Sequence, residues 1–147
     1  MIGPLFVDTN VLIYSLDPSE PEKRAKAVGL IRTGVLSGTL ITSPQTLNEC
    51  YRVLTEKRRL LTRADAREFL RSLVFTCVAP LDSSTTEAAW KIQDETGFHW
   101  WDCVMLASAL AMNAAVFVTE DLTDGVAIGG MRIVDPFVHD VAALLSL

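Results

Sequence analysis

Short apolar runs alternate with longer amphipathic ones along this chain, and the two periods separate strands from helices. Leu5-Phe6-Val7, Leu40-Ile41-Thr42, Val74 to Ala79, Ala115 to Thr119 and Met131-Arg132-Ile133-Val134 are brief and apolar, bounded by Gly, Pro or polar residues, and are read as five strands. Between them run helices. Val11-Leu12-Ile13-Tyr14 is a short one. A longer helix starts at Pro21, with Ala25, Val28 and Ile31 on one side, and ends in a loop at Gly34 and Gly38. Ser43-Pro44 supplies the cap and first position of another, in which Leu47, Cys50, Tyr51 and Leu54 make a stripe at i, i+3, i+4, i+7. Thr62, with Asp65 three residues on, opens a helix carrying Arg63, Arg67 and Arg71 on one face. Ser83 or Ser84 caps a helix through Ala88, Ala89 and Ile92 that ends at Gly97. Cys103 to Met112 is apolar all round, the pattern of a central buried helix, and Val138 to Leu145 reads as a closing helix.

Strands that alternate with helices imply an α/β fold with a mainly parallel sheet covered on both faces. The 147 residues, with no linker, repeat or low-complexity tract, are read as one domain spanning 1–147. Half the residues are hydrophobic and 21% charged, enough for a substantial core. The net charge of −5 excludes a generally basic nucleic-acid coat but leaves room for a local basic surface. One exists: Arg52 to Arg71 holds seven basic and three acidic residues, an excess of +4. It is either a solvated face or a phosphate-tracking one, Arg being suited to bidentate phosphate contacts.

Cys50, Cys77 and Cys103 stand singly in apolar runs, which points to buried thiols and a reducing compartment. Two histidines, His99 and His139, are too few and too poorly spaced for zinc. Neither a signal peptide nor an uninterrupted apolar stretch long enough to span a membrane is present, so a cytoplasmic protein with no membrane partner is expected.

Four acids occupy positions that composition does not explain. Asp8 and Asp121 each fall just past a buried strand, where open α/β sheets bind their ligands. Asp102 opens the apolar helix and shares a face with Met105, Leu106 and Ala109. Glu49 lies off the core stripe of its helix, free to line a cleft. Each has an ordinary reading as a helix cap, a dipole partner, a turn residue or a solvated side chain. Together they need four coincidences. Carboxylates gathered in one place repel unless a cation neutralises them. No Lys or Arg lies close in sequence to Asp8, Asp102 or Asp121, so a hard divalent metal bound by oxygen, Mg²⁺ or Mn²⁺, is the natural counter-ion.

The segments Val7-Asp8-Thr9-Asn10-Val11-Leu12-Ile13, Asn48-Glu49, Trp101-Asp102 and Thr119-Glu120-Asp121-Leu122 resemble the acidic motifs of PIN-domain ribonucleases, more particularly VapC-type toxins of prokaryotic toxin–antitoxin pairs. The match runs in order from about Leu5 to Phe137. It implies a three-layer α/β/α fold around a sheet of four to five strands. It also implies an endoribonuclease whose metal is ligated by Asp8, Glu49, Asp102 and Asp121, with Asp124 a further candidate. Thr9, Asn10 and Thr119 would orient carboxylates or waters, and Glu120 would face solvent. Arg59, Arg63, Arg67 and Arg71 become candidate RNA contacts, while Trp100 and Trp101 are read as core packing rather than stacking platforms. The family's habit adds a homodimer, a cognate antitoxin, and products with a 5′-phosphate and a 3′-hydroxyl. Two neighbouring readings remain: an RNA-processing PIN nuclease that is not a toxin, and a PIN-fold binding module that has lost catalysis. A haloacid-dehalogenase-type phosphatase is disfavoured, because Asn10 stands where that chemistry resembles D-x-D and cannot exchange a proton.

Overall fold

The computed structural model describes residues 3–140. Its centre is β1 (Leu5–Val7), fully buried and paired in parallel with β2 (Leu40–Ile41) on one side and β3 (Val116–Val118) on the other. β3 pairs in parallel with β5 (Met131–Val134), and β4 (Ala127–Ile128) runs antiparallel to β5 at the edge. The order is β2-β1-β3-β5-β4, a mainly parallel five-stranded sheet.

Strand periodicity divides the core in two. Leu5, Val7, Val116, Val118 and Val134 face one way, towards α1 (Thr9–Tyr14), α2 (Pro21–Leu36), α3 (Pro44–Arg52) and α4 (Arg63–Arg71). Phe6, Phe117, Met131 and Ile133 face the other way, towards α5 (Ser83–Thr96) and α6 (Trp100–Ala111). The rings of Phe6 and Phe117 stack at 5.2 Å between centroids, and every residue of α6 from Cys103 to Ala109 is buried. The result is the expected three-layer α/β/α sandwich.

Four local expectations change. Val74 to Ala79 is not a strand: Val74–Thr76 forms a 3₁₀ turn, and only Cys77 makes a bridge, to Thr42. The buried residues there are Leu73, Thr76 and Ala79, spaced by three, while Val74, Phe75 and Val78 are exposed. In α2 the inward residues are Ala27, Leu30 and Gly34, whereas Ala25 and Val28 are exposed. Gly34 does not end the helix. It packs on Leu40 so closely that a Cβ would come within 3.1 Å of the Leu40 Cβ. Asp82, not Ser83 or Ser84, caps α5, accepting from the Thr85 amide at 3.0 Å. The β4–β5 hairpin, closed by Gly129-Gly130 with Gly129 at φ 59°, has no counterpart among the elements expected from the sequence.

Other caps match: Ser43 for α3, Thr62 for α4, and Gly97 at φ 72° behind α5. α3 runs on into a π-helical turn, Val53–Lys57. Within the described residues the three cysteines are free, and burial pushes the Cys50 thiol up to about 12, which leaves it chemically inert. No helix of the described residues is long and apolar enough to cross a membrane. The closing helix expected from Val138 to Leu145 lies largely outside the described residues.

Candidate active site

The chain leaves β1 towards β2 on one side and later returns to β3 on the other, so the sheet's topological switch point lies between β1 and β3. Their register pairs Val7 with Val118, and the Asp8 amide donates to the Val118 carbonyl at 3.0 Å. Asp8 and Thr119 therefore emerge side by side. Asp8 caps α1, its Oδ1 accepting from the Thr9 amide at 2.6 Å. Its Oδ2 accepts from the Thr119 hydroxyl at 2.8 Å and from Asn10 Nδ2 at 3.2 Å. Asn10 also reaches Asp121 Oδ2 at 3.0 Å and accepts from the Glu120 amide at 3.3 Å. One side chain thus spans both strand ends. A carboxylate has about four acceptor sites, and three on Asp8 are in use, so the group is oriented but not saturated.

Glu49 and Asp102 come from opposite layers. Thr9 Oγ1 donates to Glu49 Oε2 at 3.1 Å, and Gln45 Nε2 to Oε1 at 2.9 Å. Asp102, in the first turn of α6, is half-buried. The four acids line one cleft of about 460 Å³, whose remaining wall includes Arg52, Lys57 and Arg58.

Among the described residues none of these four carboxylates forms an ion pair. Burial is the main reason that Asp8 is pushed up to about 7. The Thr119 and Thr9 hydrogen bonds pull it down, and the charges of Asp102 and Asp121 add to the rise. Asp102 is raised as well, chiefly by burial and then by Asp121. Among the described residues no three Asp, Glu, His or Cys side chains are placed closely enough to hold a metal ion as they stand. What fits a hard cation is the donor set itself: four carboxylates sharing one cleft, none in an ion pair among the described residues, with burial raising the Asp8 carboxyl.

The other candidate residues fall elsewhere. Asp124 lies outside this cleft, held by the Asp135 amide at 2.9 Å and by His139 Nε2 at 2.9 Å, with its carboxyl held low mainly by that amide. Glu120 does not simply face solvent. Tyr14 donates to it at 2.5 Å and Lys23 at 2.6 Å, with the Lys23 ammonium 4.8 Å from the centre of the Tyr14 ring. This clamp fastens the turn that carries Asp121. Arg59, Arg63, Arg67 and Arg71 are exposed and do not line the cleft, and Arg67 is engaged with the Tyr51 hydroxyl at 3.1 Å. The cations that do line it are Arg52, Lys57 and Arg58, the last bonded to buried Asp17 at 2.7 Å. Arg52 follows Glu49 by three residues on the same helix, a signal available in the sequence. Trp100 packs on the core as expected, but Trp101 is 60% exposed.

The titration of Asp8 has a consequence for stability. Its folded value of about 7 exceeds the ordinary 3.8, so between those pH values the native chain keeps a proton that the unfolded chain has lost. Metal-free stability therefore falls as pH rises through that window. Asp17 acts lower and with opposite sign: held at about 2 by Ser19 and Arg58, it contributes stability above 3.8 that is lost as pH falls towards 2. Melting curves in a chelator should show a declining midpoint from weakly acidic to neutral pH, and saturating Mn²⁺ should remove that decline. A flat metal-free profile would contradict the burial of an ionised Asp8.

A mainly parallel sheet that gathers carboxylates from both covering layers at its switch point defines an α/β protein with an acidic cleft. The chain belongs to the PIN domain family, whose model matches residues 5–123. Among curated proteins no sequence match is found. Solved structures share the fold. A toxin–antitoxin complex from Klebsiella pneumoniae contains a chain 21% identical, with a TM-score of 0.61 over 91% of this chain and 98% of that one. A DNA-bound VapBC from Salmonella typhimurium gives 18% identity and 0.64 over 92% and 99%. VapBC2 from Rickettsia felis, bound to a promoter DNA fragment, gives 14% and 0.60 over 90% and 97%.

Proposed function

We propose that this protein is a divalent-metal-dependent endoribonuclease, the toxin of a toxin–antitoxin pair, acting in the cytoplasm. The observation that carries the reading is the convergence of Asp8, Glu49, Asp102 and Asp121, from four separate elements, on one cleft in which none of the four forms an ion pair among the described residues. These four would hold Mg²⁺ or Mn²⁺. A bound ion of this kind supplies the Lewis acidity that activates water and offsets charge on the phosphate.

The chain's own groups do the rest. Thr9, Asn10 and Thr119 hold Glu49, Asp8 and Asp121 in place by hydrogen bonds, and such support for ligands is worth roughly 10–100-fold in metal affinity or activity. The Tyr14–Glu120–Lys23 clamp fixes the turn bearing Asp121. Arg52 and Lys57, on the wall facing the acids, attract the RNA backbone and set its position without reading sequence. The acidic floor repels RNA until a cation neutralises it.

Support for a toxin comes from the fold-sharing chains of toxin–antitoxin complexes; a cognate antitoxin partner and a homodimer belong to the same proposal. Purified protein incubated with total RNA and Mg²⁺ or Mn²⁺ should cut it, leaving 5′-phosphate and 3′-hydroxyl ends on mapping, and chelation should stop the reaction. Undiminished cutting in the chelator would refute the metal dependence.

A further inference from the structure

A second concavity opens beside the acidic cleft. It measures about 370 Å³ and is lined by Gln45, Asn48, Glu49, Arg52, Leu81 and Trp101. Glu49 and Arg52 line both spaces, so the two are contiguous. Trp101 is 60% exposed and Leu81 43%. None of the ring and cation–ring contacts among the described residues involves Trp101.

The wall behind it is built. Gln45, only 6% exposed, donates through Nε2 to the Trp101 carbonyl and to Glu49 Oε1, each at 2.9 Å. That fixes its amide, since the flipped form would set oxygen against two acceptors. It also ties the segment bearing the indole to an acid of the cleft. The Gln45 Oε1 is buried and lacks a donor. The Arg52 side chain has neither ion pair nor hydrogen bond among the described residues.

We infer that this groove is a stacking subsite for one unpaired nucleobase of the RNA, next to the phosphate that enters the acidic cleft, an inference that rests on the ribonuclease reading above. The base lies on the Trp101 face with Leu81 as its apolar border. Arg52, shared by both spaces, meets the phosphate between them. Asn48 supplies the polar side, suited to a base edge. A duplex keeps its base faces stacked inside the helix, so the ligand is a single-stranded segment. The size favours a base over a protein: a specific protein interface takes about 800 Å² per partner, well beyond a concavity bounded by six side chains.

The test is a coupling measurement on the full chain. Affinity for a single-stranded oligoribonucleotide is measured in Ca²⁺, in place of Mg²⁺, with the intact strand and with strands made abasic at one position at a time. Trp101→Ala should weaken binding roughly tenfold, and Trp101→Phe should retain most of it. One abasic position should cost the wild type a similar factor and cost Trp101→Ala nothing further. Duplex RNA should bind both proteins equally. Losses that simply add at every position would overturn the subsite, as would a Trp101→Ala defect confined to antitoxin binding. Should the coupling appear in a protein that cuts no RNA with Mg²⁺ or Mn²⁺, the hydrolase reading fails and the subsite stands. If RNA is cut and Trp101→Ala binds it normally, the subsite fails alone.

Discussion

Replacing Asp8 with Asn should lower metal-dependent RNA cleavage by more than about a hundredfold, because even the loss of a group that merely supports a ligand costs roughly 10–100-fold. Two effects act together. The substitution removes the charge at the centre of the acid set, and it presents an amide to neighbours that are already donors. Thr9 N–H satisfies one oxygen, but Asn10 Nδ2 and the Thr119 hydroxyl both donate to the other. The introduced amide nitrogen, placed there, would face the Asn10 nitrogen, which also orients Asp121. Asp124→Ala is the matching control. Its carboxylate is occupied by His139 and the Asp135 amide outside the cleft, so the rate should stay close to native. Single-turnover cleavage assays on the two variants separate the assigned site from general acidity. Equal losses in both would count against it.

Phe117→Ala should destabilise the fold by about 3–5 kcal/mol, the range for removing a buried aromatic side chain from a core. Phe117 is 1% exposed, sits mid-strand in β3 and stacks on Phe6 from β1. The cavity would open between the two strands whose ends carry Asp8 and Asp121, and the surrounding strand backbone has little freedom to collapse into it. For a chain of this length the melting midpoint should fall on the order of 10 °C. Phe117→Leu, which keeps most of the volume, should cost much less. A drop of only a degree or two for the alanine variant, measured by thermal melt, would mean that the sheet does not depend on this pair.

How much of this was legible in the sequence depends on the range over which each feature is encoded. β1 and β3 are continuous apolar runs between breakers, β5 is apolar but for the exposed Arg132, and the placement of β1 and β3 at once puts Asp8 and Asp121 at strand ends. The uniformly apolar α6 announces a buried helix with Asp102 at its mouth. Residues 74–79 carry a strand signal because Val74, Phe75 and Val78 have strand-forming side chains, yet the buried residues Leu73, Thr76 and Ala79 recur every third position. β4 is two residues long and has too little pattern to read, although its Gly129-Gly130 turn was visible.

Features set by distant partners were illegible. Glu120 takes Lys23 from 97 positions away, and Arg58 takes Asp17 from 41, so neither pairing follows from local spacing. The basic run from Arg52 to Arg71 is visible as a count of charges, but the fold decides which of its members reach the cleft: Arg52, Lys57 and Arg58 line it because α3 and its π-helical extension run along its wall, whereas Arg59, Arg63, Arg67 and Arg71 do not. Trp101 departs from its expected core packing for a related reason. Hydrophobicity marks α6 as buried, and Cys103 to Ala109 are, but Trp101 in its first turn is 60% exposed.

The central claim is that four acids scattered along the chain cooperate on one divalent ion. Anomalous diffraction from a Mn²⁺-soaked crystal tests it most directly. The expected result is a manganese peak within the cleft, coordinated by Asp8 together with at least one of Glu49, Asp102 and Asp121. A peak only at other acidic residues, or none at a Mn²⁺ concentration that saturates metal binding in solution, would contradict it.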